Sequence, residues 1–217
     1  MAPLWRLASI LLSERDHSAA LERFTGDLGD HRQAAEAAAT VLPDTVLTIS
    51  LSATVARAIE IRRPASVLCM VSEPGGEGER MAGLLGQWTD ARVIGDEEAI
   101  GQVPAEAVLV GADTVSPRSV VNKVKTRELA EAAEARSVPR YAVAGSSKLV
   151  PVELPVVDPF QSTSIGTFTQ IGAPGGLVEP VLAAARAAAV GLHPALVMLA
   201  EVMAEEAPDR QGGSATK

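Results

Sequence analysis

The sequence predicts an α/β fold in which helices flank a parallel β-sheet. Two apolar runs, at residues 107–110 and 141–144, are separated by a polar loop and by a helix-like segment that ends near residue 136. A strand, a helix and a second strand in this order form the unit from which parallel sheets are built. Residues 66–71 form a further run that is apolar on both faces, as buried parallel strands are. With 217 residues, the chain is long enough for one such domain with a proper core.

The first part of the chain predicts helices that precede the sheet. Apolar residues recur at helical spacing over residues 4–11 and again over residues 19–24. Pro43 then breaks the helical pattern. We therefore expect residues 1–40 to form a short helical N-terminal segment and residues 41–207 to form the α/β domain.

The α/β domain is predicted to alternate strands and helices up to residue 144, after which the pattern changes. Before the unit described above, strands are expected at 45–50, 66–71 and 91–94, and helices at 52–61, 79–88 and 97–102. After it come an extended Pro-rich stretch at 148–158, loop or short strands at 161–176, and helices at 181–190 and 195–205. Residues 208–217 are expected to be a disordered tail.

Composition and charge argue against several classes of function. Basic residues number 19 against 27 acidic ones, which gives a net charge of −8. A surface that binds nucleic acid needs a basic face, so we expect no nucleic acid partner. Cys69 is the only cysteine and the three histidines are scattered, so we expect neither a disulfide nor a metal site. No run is long enough to span a membrane, and we expect a cytoplasmic protein with no membrane partner and no cofactor.

Polar side chains that follow two of the predicted strands define a candidate ligand site. Ser50 ends the first strand, and Asp113 follows the strand at residues 107–110. In open parallel sheets ligands bind beyond the carboxyl ends of the strands, so both side chains are expected at one cleft. Asn122 and Lys123 are predicted at or near the start of the next helix, where unpaired backbone N–H groups favour an anion. We therefore predict that Ser50, Asp113, Asn122 and Lys123 bound a site for a small phosphorylated ligand.

Asp113, Asn122 and Lys123 each have a functional interpretation and a purely structural one. Asp113 can act as a general acid or base, or it can cap the turn that follows it. Asn122 and Lys123 can bind a phosphate, or they can form a helix start with an exposed lysine. Ser50 can form a hydrogen bond with a ligand hydroxyl.

Four other features bear on the function of the protein. Residues 146–148 follow another strand end and can line the same cleft. Glu73 and Glu77 are expected to be solvated, and if they faced the site they would repel a phosphate. Cys69 lies in the middle of a wholly apolar strand and is expected to be inert core. The glycine-rich loop at 75–78 lacks the Lys-Ser/Thr ending of a P-loop, which argues against binding of a nucleoside triphosphate.

Three motifs, in order along residues 41–150, carry a resemblance to a known family. They are Leu47-Thr48 with Ser52 and Val55, then Ser72, Pro74 and Gly78, and then Val110-Gly111-Ala112-Asp113 with Asn122-Lys123, Thr126, Leu129-Ala130 and Val138-Pro139. The chain resembles the group that joins the regulatory alpha, beta and delta subunits of translation initiation factor 2B to methylthioribose-1-phosphate isomerase and ribose-1,5-bisphosphate isomerase. The resemblance implies a Rossmann-like parallel sheet with flanking helices, and a homodimer or a higher homo-oligomer.

The resemblance also implies roles for the candidate site residues. The isomerases carry a catalytic Cys at the position of Ser50, and their catalytic Asp matches Asp113. Their phosphate-binding Asn-Lys pair matches Asn122 and Lys123. A hydroxyl loses its proton far less readily than a thiol does, so we do not expect Ser50 to be catalytic. Asp113 remains the candidate catalytic group.

Other departures from the family pattern leave the function open. The family has Arg at the position of Glu73, Gln at that of Glu77 and Gly at that of Lys125. The family's long N-terminal domain, with its Gly-Ala-Arg phosphate loop, is largely absent. Three hypotheses follow. The protein binds a sugar phosphate or nucleotide-like ligand without the known isomerase activity, or it is an aldose-1-phosphate isomerase that uses Asp113, or it is a non-catalytic interaction subunit like those of the initiation factor.

Overall fold

Three helices occupy the first part of the chain in the computed structural model, which describes residues 1–173 and 175–206. They are α1 (Ala2–Ser13), α2 (His17–Gly29) and α3 (His31–Ala39). The Asp16 carboxylate caps α2 by accepting hydrogen bonds from the N–H groups of Ser18 and Ala19, which have no partner within the helix. The predicted tail at 208–217 lies outside the described residues.

Strands and helices then alternate as predicted over residues 45–111, although several helix ends differ by a few residues, as is usual at frayed termini, and further strands lie at 114–123 and 160–178. In order, they are β1 (Thr45–Thr48), α4 (Ala53–Arg62), β2 (Ser66–Met70), α5 (Glu77–Leu85), β3 (Asp90–Ile94), α6 (Asp96–Gln102), β4 (Ala107–Gly111), β5 (Thr114–Val115), β6 (Ser119–Lys123), α7 (Thr126–Ala135), β7 (Arg140–Val143), β8 (Phe160–Ser164), β9 (Gln170–Ala173), β10 (Gly176–Val178), α8 (Pro180–Ala188) and α9 (Pro194–Glu206). Within the described ranges, none of the helices is long and apolar enough to cross a membrane.

Among the described residues, seven strands form one sheet in the order β10-β9-β7-β4-β1-β2-β3. Neighbouring strands in this sheet are parallel, except that β10 runs antiparallel to β9. Parallel neighbours need long crossover connections, and α-helices lie in those from β1 to β2, from β2 to β3 and from β4 to β7. The predicted α/β class with a mostly parallel sheet is therefore confirmed.

The central strands of this sheet are buried on both faces. In β1, Val46 packs in the cluster that contains Ile59, whereas Leu47 packs in the cluster that contains Phe168. Successive side chains point to opposite faces of a strand, so each layer of helices covers one set. Burying a side chain of this size stabilises the fold by about 1.5–3 kcal/mol relative to leaving it exposed. Charged groups such as Asp113 are consequently placed beyond the strand ends.

A small antiparallel sheet, β5-β6-β8, corrects the predicted position of the Asn-Lys pair. Residues 114–121, predicted as a polar loop, form two strands joined by a short turn, and Asn122 does not begin a helix. Both lie in a hairpin whose second strand, β6, runs over Ser119–Lys123, and α7 begins only at Thr126. Side chains alternate along a strand, so Asn122 and Lys123 are directed to opposite faces.

Candidate functional site

A cavity of about 370 Å³ opens at the carboxyl ends of β1, β4 and β7, where open parallel sheets bind their ligands. Leu28 and His31, from the N-terminal helices, line one side of it. The polar side chains that line it include Ser50, Thr54, Asp113, Asn122, Ser147 and Lys148. Three of the four predicted site residues therefore surround one cavity, and Lys123 is not among the residues that line it.

Ser50 lies at the cavity wall, two residues beyond β1, in the left-handed backbone conformation with a φ of 67°. Residues with a side chain adopt this conformation at a cost of about 1–2 kcal/mol. The N–H of Ser50 donates a hydrogen bond of 2.8 Å to the Oγ of Ser72. This turn leads the chain from β1 directly into α4.

The first turn of α4 lines the cavity through Ala53 and Thr54. Ser52 is the N-cap, and its Oγ accepts a hydrogen bond of 3.4 Å from the N–H of Val55. A Cβ on Gly111 of β4 would lie 2.6 Å from that Oγ, so only glycine allows this close approach. The N–H groups at a helix start have no acceptors within the helix, and the helix dipole adds partial positive charge there. This part of the cavity therefore favours an anion.

Asp113 and Lys148 form an ion pair at the cavity, with 3.4 Å between Oδ1 and Nζ. Asp113 follows β4, and Lys148 ends a 3-10 turn that follows β7. The carboxylate of Asp30 accepts a hydrogen bond of 2.9 Å from the N–H of Ser146 and so holds this turn in place. Both partners of the pair are 29% exposed. Because such a pair contributes only about 0–1 kcal/mol, either partner can turn to a ligand at little cost.

Asn122 is buried at the cavity wall, and its orientation is fixed by hydrogen bonds. Its Nδ2 donates to the Oγ1 of Thr126 at 3.2 Å. That hydroxyl in turn donates to the carbonyl oxygen of Lys123 at 2.6 Å. The end of β6 and the start of α7 are thus joined beside the cavity.

Lys123 corrects the expectation that its side chain faces the same cleft as Asn122. Its Nζ lies 2.8 Å from the Oε1 of Glu77 and also donates to the carbonyl oxygen of Pro74. The side chain of Lys123 is 3% exposed and that of Glu77 is 20% exposed. Glu77 is therefore not solvated as predicted, whereas Glu73 is. The cause is the alternation along β6, which directs Lys123 to the loop between β2 and α5.

Lys148, rather than Lys123, supplies a lysine charge to the cavity. The rule that ligands bind beyond the carboxyl ends of parallel strands also predicts that residues 146–148 can line the cleft. The sequence analysis nevertheless favoured Asn122 and Lys123 over these residues as the ligand-binding group. The rule locates the start of a loop and not the reach of its side chains, so it could not rank the two lysines. The position of Lys148 depends on the turn that Asp30 holds, which comes from a distant part of the chain.

Lys125 occupies the position at which the resemblance implies Gly, and its backbone conformation shows why Gly is favoured there. It is the N-cap of α7 and has a φ of 73°, a conformation that Gly adopts more readily. Its Nζ lies 3.2 Å from the Oδ2 of Asp96 and 3.3 Å from the Oε1 of Glu97. Partial burial lowers the pKa of the Lys125 ammonium, but the hydrogen bonds to the two carboxylates outweigh this effect and leave the pKa above its ordinary value.

The thiol of Cys69 belongs to the core and lies away from this cavity. Cys69 is 1% exposed in β2, and burial raises the pKa of its thiol to about 12. Within the ranges that the structure describes, no group of three or more His, Cys, Asp or Glu side chains is arranged to hold a metal ion.

The fold and the cavity define an α/β protein with a polar cavity at the carboxyl ends of its parallel strands. The sequence matches the Initiation factor 2 subunit family over residues 15–161, which is more than half of the chain. The chain belongs to this family, as its sequence motifs predicted.

Solved structures from this group share the fold. The structure is similar to translation initiation factor eIF-2B of Pyrococcus horikoshii at 28% sequence identity, with a TM-score of 0.73 over 83% of this chain and 76% of that one. It is similar to the delta subunit of eIF-2B from A. fulgidus at 19% identity, with a TM-score of 0.57 over 81% and 68% of the two chains. It is also similar to 5-methylthioribose 1-phosphate isomerase of P. horikoshii at 19% identity, with a TM-score of 0.61 over 79% of this chain and 62% of that one. At 19% identity the likeness concerns the fold alone.

Proposed function

We propose that this chain binds a small phosphorylated ligand, a sugar phosphate or a nucleotide-like molecule, in the cavity at the ends of β1, β4 and β7. The observation that carries the proposal is that Asp113, Lys148 and the first turn of α4 surround one cavity. A phosphate is bound by positive charge and N–H donors, whereas sugar hydroxyls need acceptors as well. The volume of about 370 Å³ lies within the range of about 300–1000 Å³ usual for small-molecule sites.

Each group has a role in such a complex. The ammonium of Lys148 would leave its weak pair with Asp113 and form a charge-assisted hydrogen bond to the phosphate. The N–H groups of Ala53 and Thr54 would bind further phosphate oxygens. The carboxylate of Asp113 would accept hydrogen bonds from sugar hydroxyls, and the amide of Asn122 would complete the polar wall.

The same site does not favour the isomerase chemistry that the resemblance implies. In the described part of the chain, no hydrogen bond joins the hydroxyl of Ser50 to a carboxylate or an imidazole that would act as its base. A serine without such a base is a poor replacement for a thiol. We therefore propose binding without turnover, and an aldose-1-phosphate isomerase that uses Asp113 is the alternative if turnover is found.

Isothermal titration calorimetry with ribose 5-phosphate and AMP tests the binding proposal, with ribose and inorganic phosphate as controls for the two halves of the ligand. We expect each phosphorylated compound to bind more tightly than ribose or phosphate alone, because it reaches both Asp113 and Lys148. Asp113→Asn should weaken ribose 5-phosphate more than inorganic phosphate. Absence of binding by both phosphorylated compounds at millimolar concentration would contradict the proposal.

A second candidate function is that of an interaction subunit, and it is favoured by an apolar helix face. Met198 and Val202 of α9 are 66% and 49% exposed, four residues apart and therefore on the same side of the helix. A relative at 16% identity was solved as a tetrameric complex of beta and delta subunits of eIF2B from C. thermophilum. Exposed apolar faces of this kind mark interfaces, so we propose that the chain self-associates as a homodimer or a higher homo-oligomer.

A further inference from the structure

A chain of hydrogen bonds runs along the carboxyl edge of the sheet from the cavity to a buried carboxylate outside it. The chain begins at the N–H of Ser50, which donates to the Oγ of Ser72 at 2.8 Å. The same hydroxyl donates to the carbonyl oxygen of Met70 at 2.9 Å. Ser72 is fully buried. Through these two hydrogen bonds its hydroxyl connects the residue that follows β1 to the end of β2.

The buried carboxylate belongs to Asp96, the first residue of α6, which is 6% exposed. Its Oδ1 accepts a hydrogen bond of 2.8 Å from the N–H of Ser72, and its Oδ2 accepts one of 3.0 Å from the N–H of Glu73. The ammonium of Lys125 lies 3.2 Å from the same Oδ2. One carboxylate thus holds the main chain after β2 and pairs with the residue that precedes α7.

Positive φ at non-glycine residues recurs along that chain. Left-handed backbone is common where a helix ends, and three described non-glycine residues adopt it there, namely Arg63, Val103 and Ser137. The other described non-glycine residues with positive φ are Ser50, Ser72 and Lys125, at 67°, 68° and 73°. All three belong to the hydrogen-bond chain. Strained residues persist only where their surroundings determine them strongly, and they cluster at functional sites.

We propose that Asp96 is a positioning residue, which holds Ser72 and through it the main chain of Ser50 at the wall of the cavity. Asp96 itself does not line the cavity. Without its carboxylate, the N–H groups of Ser72 and Glu73 lose their acceptors, and Ser72 is no longer held in the left-handed conformation. Its hydroxyl then moves away from the N–H of Ser50. The consequence for ligand affinity rests on the proposed function, whereas the effect on Ser50 does not.

The first test is amide hydrogen exchange at Ser50, followed by NMR in the full chain. Asp96→Asn keeps the shape of the side chain but replaces one carboxylate oxygen by an NH₂ group, which faces either the N–H of Ser72 or both the N–H of Glu73 and the ammonium of Lys125. We expect the Ser50 amide to exchange about two- to tenfold faster, because the hydrogen bond that it loses is to the neutral hydroxyl of Ser72. The matched control is Glu97→Gln, because Glu97 also pairs with Lys125 but is 88% exposed, and it should leave the exchange rate unchanged.

A second variant covers the case in which Asp96→Asn does not fold. Ser72→Ala removes only the hydroxyl and retains both backbone hydrogen bonds to Asp96, so it should raise the exchange rate at Ser50 by about two- to tenfold. Unchanged exchange at Ser50 in the folded variants would overturn the proposal.

Titration with ribose 5-phosphate separates this proposal from the proposed function. If the wild-type protein binds it, Asp96→Asn should weaken binding by roughly tenfold although Asp96 does not reach the ligand, and Glu97→Gln should not. Unchanged affinity together with faster exchange would show that Ser50 is positioned but has no part in binding, which overturns the link to the site. If the wild-type protein does not bind, the binding proposal fails, and the exchange rates alone decide the role of Asp96.

Discussion

Replacing Lys123 by Met distinguishes a structural lysine from a ligand-binding one. In the structure Lys123 forms a buried ion pair with Glu77 at 2.8 Å, and Glu77 Oε2 is buried without a hydrogen-bond partner among the residues that the structure describes. Removing one partner of a buried pair costs about 3–5 kcal/mol, because the other charge is left unpaired. Since Glu77 retains 20% exposure, water can reach it in part, and we expect the low end, about 3 kcal/mol.

Urea denaturation followed by circular dichroism measures this loss. With a slope of about 2 kcal/mol per molar urea, a loss of about 3 kcal/mol lowers the midpoint by roughly 1.5 M. The matched control is Lys148→Met, which breaks a pair that is 29% exposed on both sides and should cost less than about 1 kcal/mol. A lysine that only contacted a ligand would leave the midpoint unchanged.

The double variant Lys123→Met with Glu77→Leu provides the second half of this test. Replacing both partners of a buried pair by apolar residues is often neutral or stabilising, so most of the lost stability should return. If the single Lys123 variant loses no more than the Lys148 control, or if Glu77→Leu restores nothing, the structural role assigned to Lys123 is refuted.

Three further predictions concern activity, assembly and thiol chemistry. Assays with methylthioribose 1-phosphate and ribose 1,5-bisphosphate should show no appreciable turnover, because Ser50 replaces the Cys that the resemblance implies, and rates on the order of 1–1000 per second would reject this. Light scattering should show a dimer or a larger assembly at tens of micromolar protein, and the double variant Met198→Lys with Val202→Lys should self-associate less. A monomeric wild-type protein would contradict the predicted self-association. The thiol of Cys69, with a pKa of about 12, should not react with Ellman's reagent at pH 8 in the native protein but should react in guanidinium, and rapid native labelling would be inconsistent with its burial.

The central strands of the main sheet could be predicted because they are buried on both faces. Val46, Leu47 and their neighbours form apolar runs. Such runs can be recognised in the local sequence without information on residues far along the chain. The strand-end rule then placed Ser50 and Asp113 correctly at one edge of the sheet. Those two residues line the same cavity.

The small sheet could not be predicted in the same way. β6 is a strand because it pairs with β8, which lies much later in the chain. Considered with its sequence neighbours alone, the Asn122-Lys123 pair resembles a helix start because a helical pattern follows it. That error led us to expect the side chain of Lys123 at the cavity, whereas it points to the loop between β2 and α5. The strained backbone of Ser50 is equally invisible in the sequence, since serine rarely adopts positive φ and nothing local requires it here.

The affinity of Lys148→Ala for ribose 5-phosphate tests the central claim most directly. Loss of a hydrogen bond to a charged group costs about 1.5–3 kcal/mol, so the dissociation constant should rise about 10- to 100-fold relative to the wild-type protein. Lys123→Met in the same titration should retain most of the affinity, because Lys123 does not line the cavity. Equal affinity of Lys148→Ala and the wild-type protein, or a larger loss in Lys123→Met, would contradict the placement of the ligand site.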